Sequence, residues 1–203
     1  MDDSTTVVTS STQVVRPFKV IAVILIVICV AVMIAVLANN TWITAAGFHQ
    51  GLWNECYNGT RIIPTLPSGL PATQTPSDIK CQGAPVIGWL SACQALTIMA
   101  LLLTVIGLVL AIIALFKGKR FANLYKIAGV LQFVAAVFML VTLALFPVMS
   151  VQQETLLNRS NWELAWGYGL GWGAFLLQVA SGILLVFAPD KQEIYYSEKT
   201  YYQ

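Results

Sequence analysis

Four long stretches of the chain lack Asp, Glu, Lys and Arg, and apolar residues dominate each of them. A helix that crosses a bilayer needs about 20 predominantly apolar residues, and each stretch is long enough to contain one. The stretches lie between Lys19 and Glu55, Lys80 and Lys117, Lys126 and Glu154, and Glu163 and Asp190. They predict transmembrane helices at about 19–39, 87–116, 124–149 and 165–188.

The composition agrees with this pattern. Of the 203 residues, 58% are apolar and only 10% are charged, whereas roughly 25% of the residues of a soluble domain are charged. The basic residues Arg16 and Lys19, followed by an apolar run, are also typical of a secretory signal. That run has about 19 residues and exceeds the usual 7–15 of a signal core, so we interpret it as a retained first helix.

Candidate catalytic groups are scarce. Transporters and channels mark their pathways with ionisable side chains at membrane depth, and the predicted helices carry none there. The single histidine, His49, lies outside them. No carboxylate pair, Ser-His-Asp set or cluster of metal ligands stands out, so we predict a protein that is not an enzyme and needs no cofactor or metal. The net charge of +2 gives no reason to expect nucleic-acid binding.

Basic residues are distributed unevenly between the two sides of the membrane. With four spans both termini share one side, and it carries Arg16, Lys19, Lys117, Lys119, Arg120, Lys126, Lys191 and Lys199. The other side carries Arg61, Lys80 and Arg159. The positive-inside rule therefore predicts cytosolic termini. The sequons at Asn39, Asn58 and Asn158 all fall on the predicted extracellular side, and Asn58 is the glycosylation candidate because the other two lie close to the membrane.

The predicted helices divide the chain into three parts. Residues 1–16 are polar and rich in Ser and Thr, which predicts a disordered cytosolic tail. Residues 17–189 form a four-pass domain with extracellular loops at about 40–86 and 150–164. Residues 190–203 form a second cytosolic tail, which is rich in tyrosine.

Cysteine positions add a covalent prediction. Cys56 and Cys81 are the two cysteines that face the oxidising compartment away from a helix, so we predict a disulfide between them. It would close a loop of about 26 residues, worth about 3.5 kcal/mol in the chain-entropy model. Cys29 and Cys93 fall inside predicted helices, where they are expected to be small buried apolar residues.

The first extracellular loop also contains candidate strands. Its middle is rich in Pro and Gly, which disfavours a central strand. Strand formers occur at 42–44, 52–57 and 61–63, so we predict a small antiparallel sheet pinned by the disulfide. Trp42 and Trp53 would be the apolar anchors of this sheet near the membrane surface, where indole rings are favoured.

The stretch WGYGLGWGA at 166–174 raises a competing interpretation, because it satisfies the relaxed dinucleotide-binding fingerprint. A nucleotide site requires a strand before the glycines, but this stretch follows an extracellular loop and leads into a membrane helix. In a helix, Gly167 with Gly171 and Gly169 with Gly173 form two i,i+4 pairs. We predict that both pairs are packing surfaces, since small residues let helices approach closely in lipid.

The first extracellular loop carries a set of residues in a specific order: Trp42, Gly51, Leu52, Trp53, Cys56 and Cys81. The set resembles the W…GLW…C…C signature of the claudin and peripheral myelin protein superfamily, and the resemblance extends over nearly the whole chain. It implies a left-handed four-helix transmembrane bundle under a small extracellular antiparallel β-sheet.

Several positions depart from true claudins. Gln94 stands near the place where claudins usually carry an Arg at the start of the second helix. Gln203 is not the apolar last residue that a PDZ pocket requires, so we do not expect PDZ binding. The pair Phe146-Pro147, which would end the third helix, and the run at 166–173 are more similar to the PERP-like and adherens-junction claudin-like branch.

This resemblance implies a non-enzymatic protein of cell–cell junctions that organises adhesion and its link to cortical actin. It would contact junctional membrane proteins in cis or in trans and bind cytosolic adaptors. A paracellular barrier component and an accessory subunit of another membrane protein remain alternatives. Tail tyrosines are candidates for phosphorylation, or equally for a place at the membrane interface: Tyr195, Tyr196, Tyr201 and Tyr202.

Overall fold

The computed structural model describes residues 13–15, 17–45, 47–58, 79–117, 122–156, 162–187 and 193–195. Four of its helices are long and apolar enough to cross a membrane. They are α1 (Pro17–Ala38), α2 (Gly88–Lys117), α3 (Ala122–Leu156) and α4 (Trp166–Phe187). These bounds agree closely with the prediction except at the C-terminal end of α3.

The third helix does not end near Pro147, as the sequence predicts, but continues through this residue to Leu156. A proline inside a helix lacks the N–H that would bond the carbonyl four residues earlier, here that of Leu143. The Tyr168 hydroxyl of α4 donates a hydrogen bond to this carbonyl at 2.8 Å. Because the missing bond is replaced from the neighbouring helix, α3 extends into the segment predicted to be a loop.

The helices form a bundle in which each packs against two neighbours. The first helix contacts α2 and α4, and the third contacts the same two. Large apolar side chains such as Ile24, Leu102 and Leu176 are exposed on the outside of the bundle, as expected of a surface that faces lipid rather than water. The structure confirms a four-helix membrane bundle. The left-handed twist of this bundle stays an expectation from the resemblance.

Strands lie at both ends of this bundle. They are β1 (Gln13–Val15), β2 (Ile43–Ala45), β3 (Phe48–Gln50), β4 (Asn54–Asn58), β5 (Ile79–Gly83), β6 (Glu163–Leu164) and β7 (Glu193–Tyr195). Five of them form one antiparallel sheet in the order β5-β4-β3-β2-β6, which we call the end sheet. Chain connections place it where α1 and α3 end and where α2 and α4 begin.

The end sheet confirms the predicted antiparallel sheet but has more strands than expected. The strands predicted at 42–44 and 52–57 correspond to β2 and β4, whereas β3, β5 and β6 were not predicted. None of these three contains a run of β-branched residues. Gly47, with a φ of 71°, supplies the left-handed conformation of the turn before β3. The candidate strand at 61–63 lies outside the described residues.

At the opposite end, β1 and β7 pair as a two-stranded antiparallel ribbon, the tail ribbon, with Gln13 opposite Tyr195. Residues 13–15 belong to the tail that was predicted to be disordered, so that prediction is wrong for these residues. The remainder of this tail, the side chain of Tyr195, and Tyr196, Tyr201 and Tyr202 lie outside the described residues.

Candidate functional site at the base of the end sheet

The first residue of the family-like signature, Trp42, connects the end sheet to the bundle. Its side chain is fully buried. The indole Nε1 donates a hydrogen bond to the Val36 carbonyl at 3.2 Å, one of the last carbonyls of α1 that have no partner within the helix. The ring packs against Phe146 of α3 and Tyr168 of α4, with centroid distances of 4.9 and 6.2 Å.

Further rings extend this contact into a cluster that we call the aromatic junction, made of Trp42, Trp89, Phe146, Tyr168 and Trp172. Trp89 at the start of α2 lies 6.0 Å from Phe146, and Trp172 lies 6.5 Å from Tyr168. These edge-on and tilted geometries are favourable for aromatic pairs. The junction therefore fixes the sheet to α2, α3 and α4, and through Val36 to α1.

The Gly-Leu part of the signature is also used in packing. A Cβ at Gly51 would overlap the backbone of Asn39 and Asn40, so only glycine fits at this close approach. Leu52 is fully buried, and its carbonyl accepts a hydrogen bond from Gln94 Nε2 at 2.6 Å. Gln94, the residue that departs from the claudin pattern, thus connects α2 directly to the signature.

Trp53 does not share the environment of Trp42. Its side chain is 38% exposed, although its carbonyl accepts a hydrogen bond from the Ala84 amide at 2.7 Å. The prediction that both tryptophans anchor the sheet is therefore wrong in part: Trp42 is the buried anchor, and Trp53 is an exposed aromatic side chain.

The head of α4 divides its four glycines between two environments. A Cβ at Gly167 would lie 2.5 Å from the Thr41 carbonyl oxygen, and one at Gly171 would lie 2.8 Å from Leu143 Cδ2. By contrast, a Cβ at Gly169 or Gly173 would have no heavy atom within 4 Å. The first pair packs as predicted. The second pair lies on a face that points away from the bundle, so its role in packing stays a prediction.

The predicted disulfide is present, and it joins directly opposed residues of β4 and β5, Cys56 and Cys81. His49 lies beside it, with one of its ring nitrogens and both sulfur atoms within 4.8 Å of one another. Cys and His clusters of this kind bind zinc through thiolates, but sulfur atoms bonded to each other carry no such charge. Cys29 and Cys93 are free and buried, as predicted.

A family model described as PMP-22/EMP/MP20/Claudin matches residues 17–185, which include the end sheet and all but the last two residues of α4. The chain belongs to this family. Among its relatives is the zebrafish "p53 apoptosis effector related to PMP-22", which is 24% identical over 84% of this chain and 83% of that protein. The bovine "Lens fiber membrane intrinsic protein" is 27% identical over 77% of this chain and 82% of that protein.

Family membership confirms the superfamily expected from the signature and shows a membrane protein. The rat "Lens fiber membrane intrinsic protein" is likewise 27% identical, over 69% of this chain and 70% of that protein. The family consists of non-enzymatic structural membrane proteins. Of the W…GLW…C…C residues, Trp42, Gly51 and Leu52 lie where the sheet meets the helices, whereas Trp53 is exposed and the cysteines join β4 to β5.

The Asn39 side chain fixes the segment that connects α1 to the end sheet. Its side-chain Oδ1 accepts hydrogen bonds from the backbone N–H and the hydroxyl of Thr41, at 2.6 and 2.7 Å. Its Nδ2, the atom that a glycan would modify, is buried. This agrees with the choice of Asn58 over Asn39 as the glycosylation candidate. The side chain of Asn58 and all of Asn158 lie outside the described residues.

Sequence reasoning missed a polar layer in the middle of the family bundle, made of Thr104, Gln132 and Gln178. All three are fully buried, between one apolar cluster near the end sheet and a second near the tail ribbon. Gln178 Nε2 donates to Thr104 Oγ1 at 3.0 Å, and Gln132 Nε2 donates to the Thr104 carbonyl at 3.4 Å. Uncharged polar side chains inside apolar runs were the available signal, because such residues join helices in lipid.

Proposed function

We propose that this protein is a non-enzymatic component of cell–cell junctions that organises adhesion and its connection to cortical actin. The observation that carries the proposal is the contrast between the two tryptophans of the signature. Trp42 and the aromatic junction fix the end sheet to the bundle, whereas Trp53 stays 38% exposed on the sheet. A rigid support with an exposed aromatic side chain is suited to protein contacts, since aromatic residues are enriched in interface cores.

Other exposed side chains of the end sheet support the same proposal. Trp162, just before β6, and Leu164, in β6, are exposed, as is Val86 between β5 and α2. In the orientation that the positive-inside rule predicts, this surface faces the extracellular space, where it would contact a protein of the same or the opposing membrane. We further propose that Asn58, the last residue of β4, carries a glycan, and that the protein resides in the plasma membrane at cell contacts.

The tail ribbon supports the cytosolic half of the proposal. Pairing of β1 with β7 brings the two tails together at the end of the bundle opposite the end sheet. An adaptor linked to actin would then contact both tails at the same end of the bundle. Phosphorylation of the tail tyrosines would add about −2 charge each and would change such a contact. A position at the membrane interface is the alternative role of these tyrosines.

A second candidate function, accessory subunit of another membrane protein, is favoured by the outward face of α4. Gly169 and Gly173 leave open space on this face, and two small residues one turn apart allow another transmembrane helix to approach closely. The barrier alternative rests on the W…GLW…C…C signature that the chain shares with claudins. The three functions differ in where the protein is found and in what its loss changes.

The proposal is tested in an epithelium from which the protein has been removed, with re-expression of the wild type, Trp53→Ala or Lys80→Ala. Lys80 is exposed on the same sheet and serves as the matched control. We expect cell separation or cortical actin defects with normal tracer flux, rescued by the wild type and by Lys80→Ala but not by Trp53→Ala. A paracellular leak with intact adhesion would contradict the proposal and favour the barrier function.

A further inference from the structure

The disulfide of the end sheet has a histidine beside it because of the strand register. Directly opposed residues place Thr44, His49, Cys56 and Cys81 in one row across β2, β3, β4 and β5. Opposed residues of antiparallel strands project from the same face of a sheet with neighbouring Cβ atoms. Accordingly, one imidazole nitrogen and the two sulfur atoms lie within 4.8 Å of one another.

The two sulfur-bearing residues differ in exposure. Cys56 is 1% exposed, whereas Cys81 lies on the edge strand β5 and is exposed. A thiolate from solvent therefore reaches the sulfur of Cys81, and the sulfur of Cys56 becomes the leaving group. A thiolate left in a buried position is disfavoured, because burial penalises the charged form. A proton donor next to Cys56 would remove this penalty, and His49 is its cross-strand neighbour.

We propose that the Cys56–Cys81 disulfide is a site of thiol–disulfide exchange for low-molecular-weight thiols, and that His49 is its general acid. The thiolate attacks Cys81 Sγ, a new S–S bond forms there, and the Cys56–Cys81 bond breaks. The electron pair goes to Cys56 Sγ, which takes a proton from the imidazolium of His49. In the reverse step neutral His49 accepts the proton, and the Cys56 thiolate attacks Cys81 Sγ and expels the small thiol. Exchange breaks the covalent connection between β4 and β5 and leaves Cys81 modified.

The sign of the pH dependence follows from the role of the imidazole, because only its protonated form can donate a proton to Cys56 Sγ. Thr44 of β2, on one side of His49, is uncharged, and beyond it the row ends at Glu163 of β6. Among the described residues of the sheet, Glu55 and Lys80 are one residue out of the row and project from the opposite face. Since imidazoles titrate between about pH 5 and 8, the acid-assisted rate rises as the pH falls.

The experiment uses the purified full-length chain in detergent micelles with glutathione as the thiol, from about pH 5.5 to 8.5. Peptide mass spectrometry after acid quenching measures the mixed disulfide at Cys81, and each rate is divided by the glutathione thiolate concentration. We expect the corrected rate constant to increase by about tenfold from the highest to the lowest pH. This factor is smaller than the rate enhancement that a general acid typically contributes in an enzyme. We expect a flat profile for His49→Gln and a wild-type profile for Thr44→Val, the control on the other side of the row.

Two results would overturn the proposal. A corrected rate of the wild type that does not depend on pH excludes acid assistance, whatever the variants do. An unchanged pH profile in His49→Gln excludes His49 as the donor. Circular dichroism and thermal unfolding establish that the variants are folded. An unfolded variant would form mixed disulfides at both cysteines. In that case the pH dependence of the wild-type rate is the test of acid assistance.

Discussion

Tyr168→Phe tests the contact that lets α3 continue through Pro147. The substitution removes only the hydroxyl, so the ring retains its contacts with Trp42 and Trp172 in the aromatic junction. What disappears is the 2.8 Å hydrogen bond to the Leu143 carbonyl. Pro147 has no N–H to take its place, so the carbonyl of the variant is left without its partner.

The expected loss of stability follows from the environment of this carbonyl. Leaving a buried acceptor unsatisfied costs about 1–3 kcal/mol in proteins, whereas interhelical hydrogen bonds in membrane bundles average about 0.6 kcal/mol with a maximum near 1.7. Because the Leu143 carbonyl has lost its helical donor, we expect a value in the upper part of the membrane range, about 1–1.5 kcal/mol.

A double-mutant cycle with Pro147→Ala provides the control. The Pro147→Ala substitution restores a backbone N–H that can bond the Leu143 carbonyl within α3, so in that background Tyr168→Phe should cost less than about 0.5 kcal/mol. Reversible unfolding in mixed micelles, followed by circular dichroism, gives the four free energies. An equal cost of Tyr168→Phe in both backgrounds would refute the account of how α3 passes Pro147.

Three further predictions concern other parts of the structure. Gly167→Ala should prevent correct folding and surface delivery, because its Cβ would lie 2.5 Å from the Thr41 carbonyl oxygen, whereas Gly169→Ala should be delivered normally. Gln94→Leu should lower the unfolding free energy by about 1 kcal/mol through loss of the bond to Leu52, measured in the same micelles. Asn58→Gln should abolish the mobility shift caused by glycosidase treatment, and a persistent shift would contradict the assignment.

The features predicted correctly from the sequence have strong local signals. Uncharged stretches of about 20 residues require helices in lipid, and two cysteines in one oxidising loop indicate a disulfide. The continuation of α3 to Leu156 was not predictable in this way. It depends on a hydroxyl of Tyr168 in another helix, and the local sequence around Pro147 holds no information about that partner.

The parts of the site that were missed depend on which faces meet in space. Gly169 and Gly173 have the same spacing as Gly167 and Gly171, and only the packing of α4 decides which pair is covered. Strand β6 has two residues and forms because it pairs with the edge of β2. In the same way, the role of Gln178 depends on Thr104 of another helix, which accepts its hydrogen bond.

The central claim is that the end sheet belongs to a junctional protein, and mosaic tissue tests it most directly. Cells that express the fluorescently tagged full-length chain are mixed with cells that do not, and the fluorescence of each cell border is measured beside a junctional marker. We predict that the signal is concentrated at contacts between cells and overlaps the marker. A uniform signal over the whole cell surface, including contact-free membrane, would contradict the account.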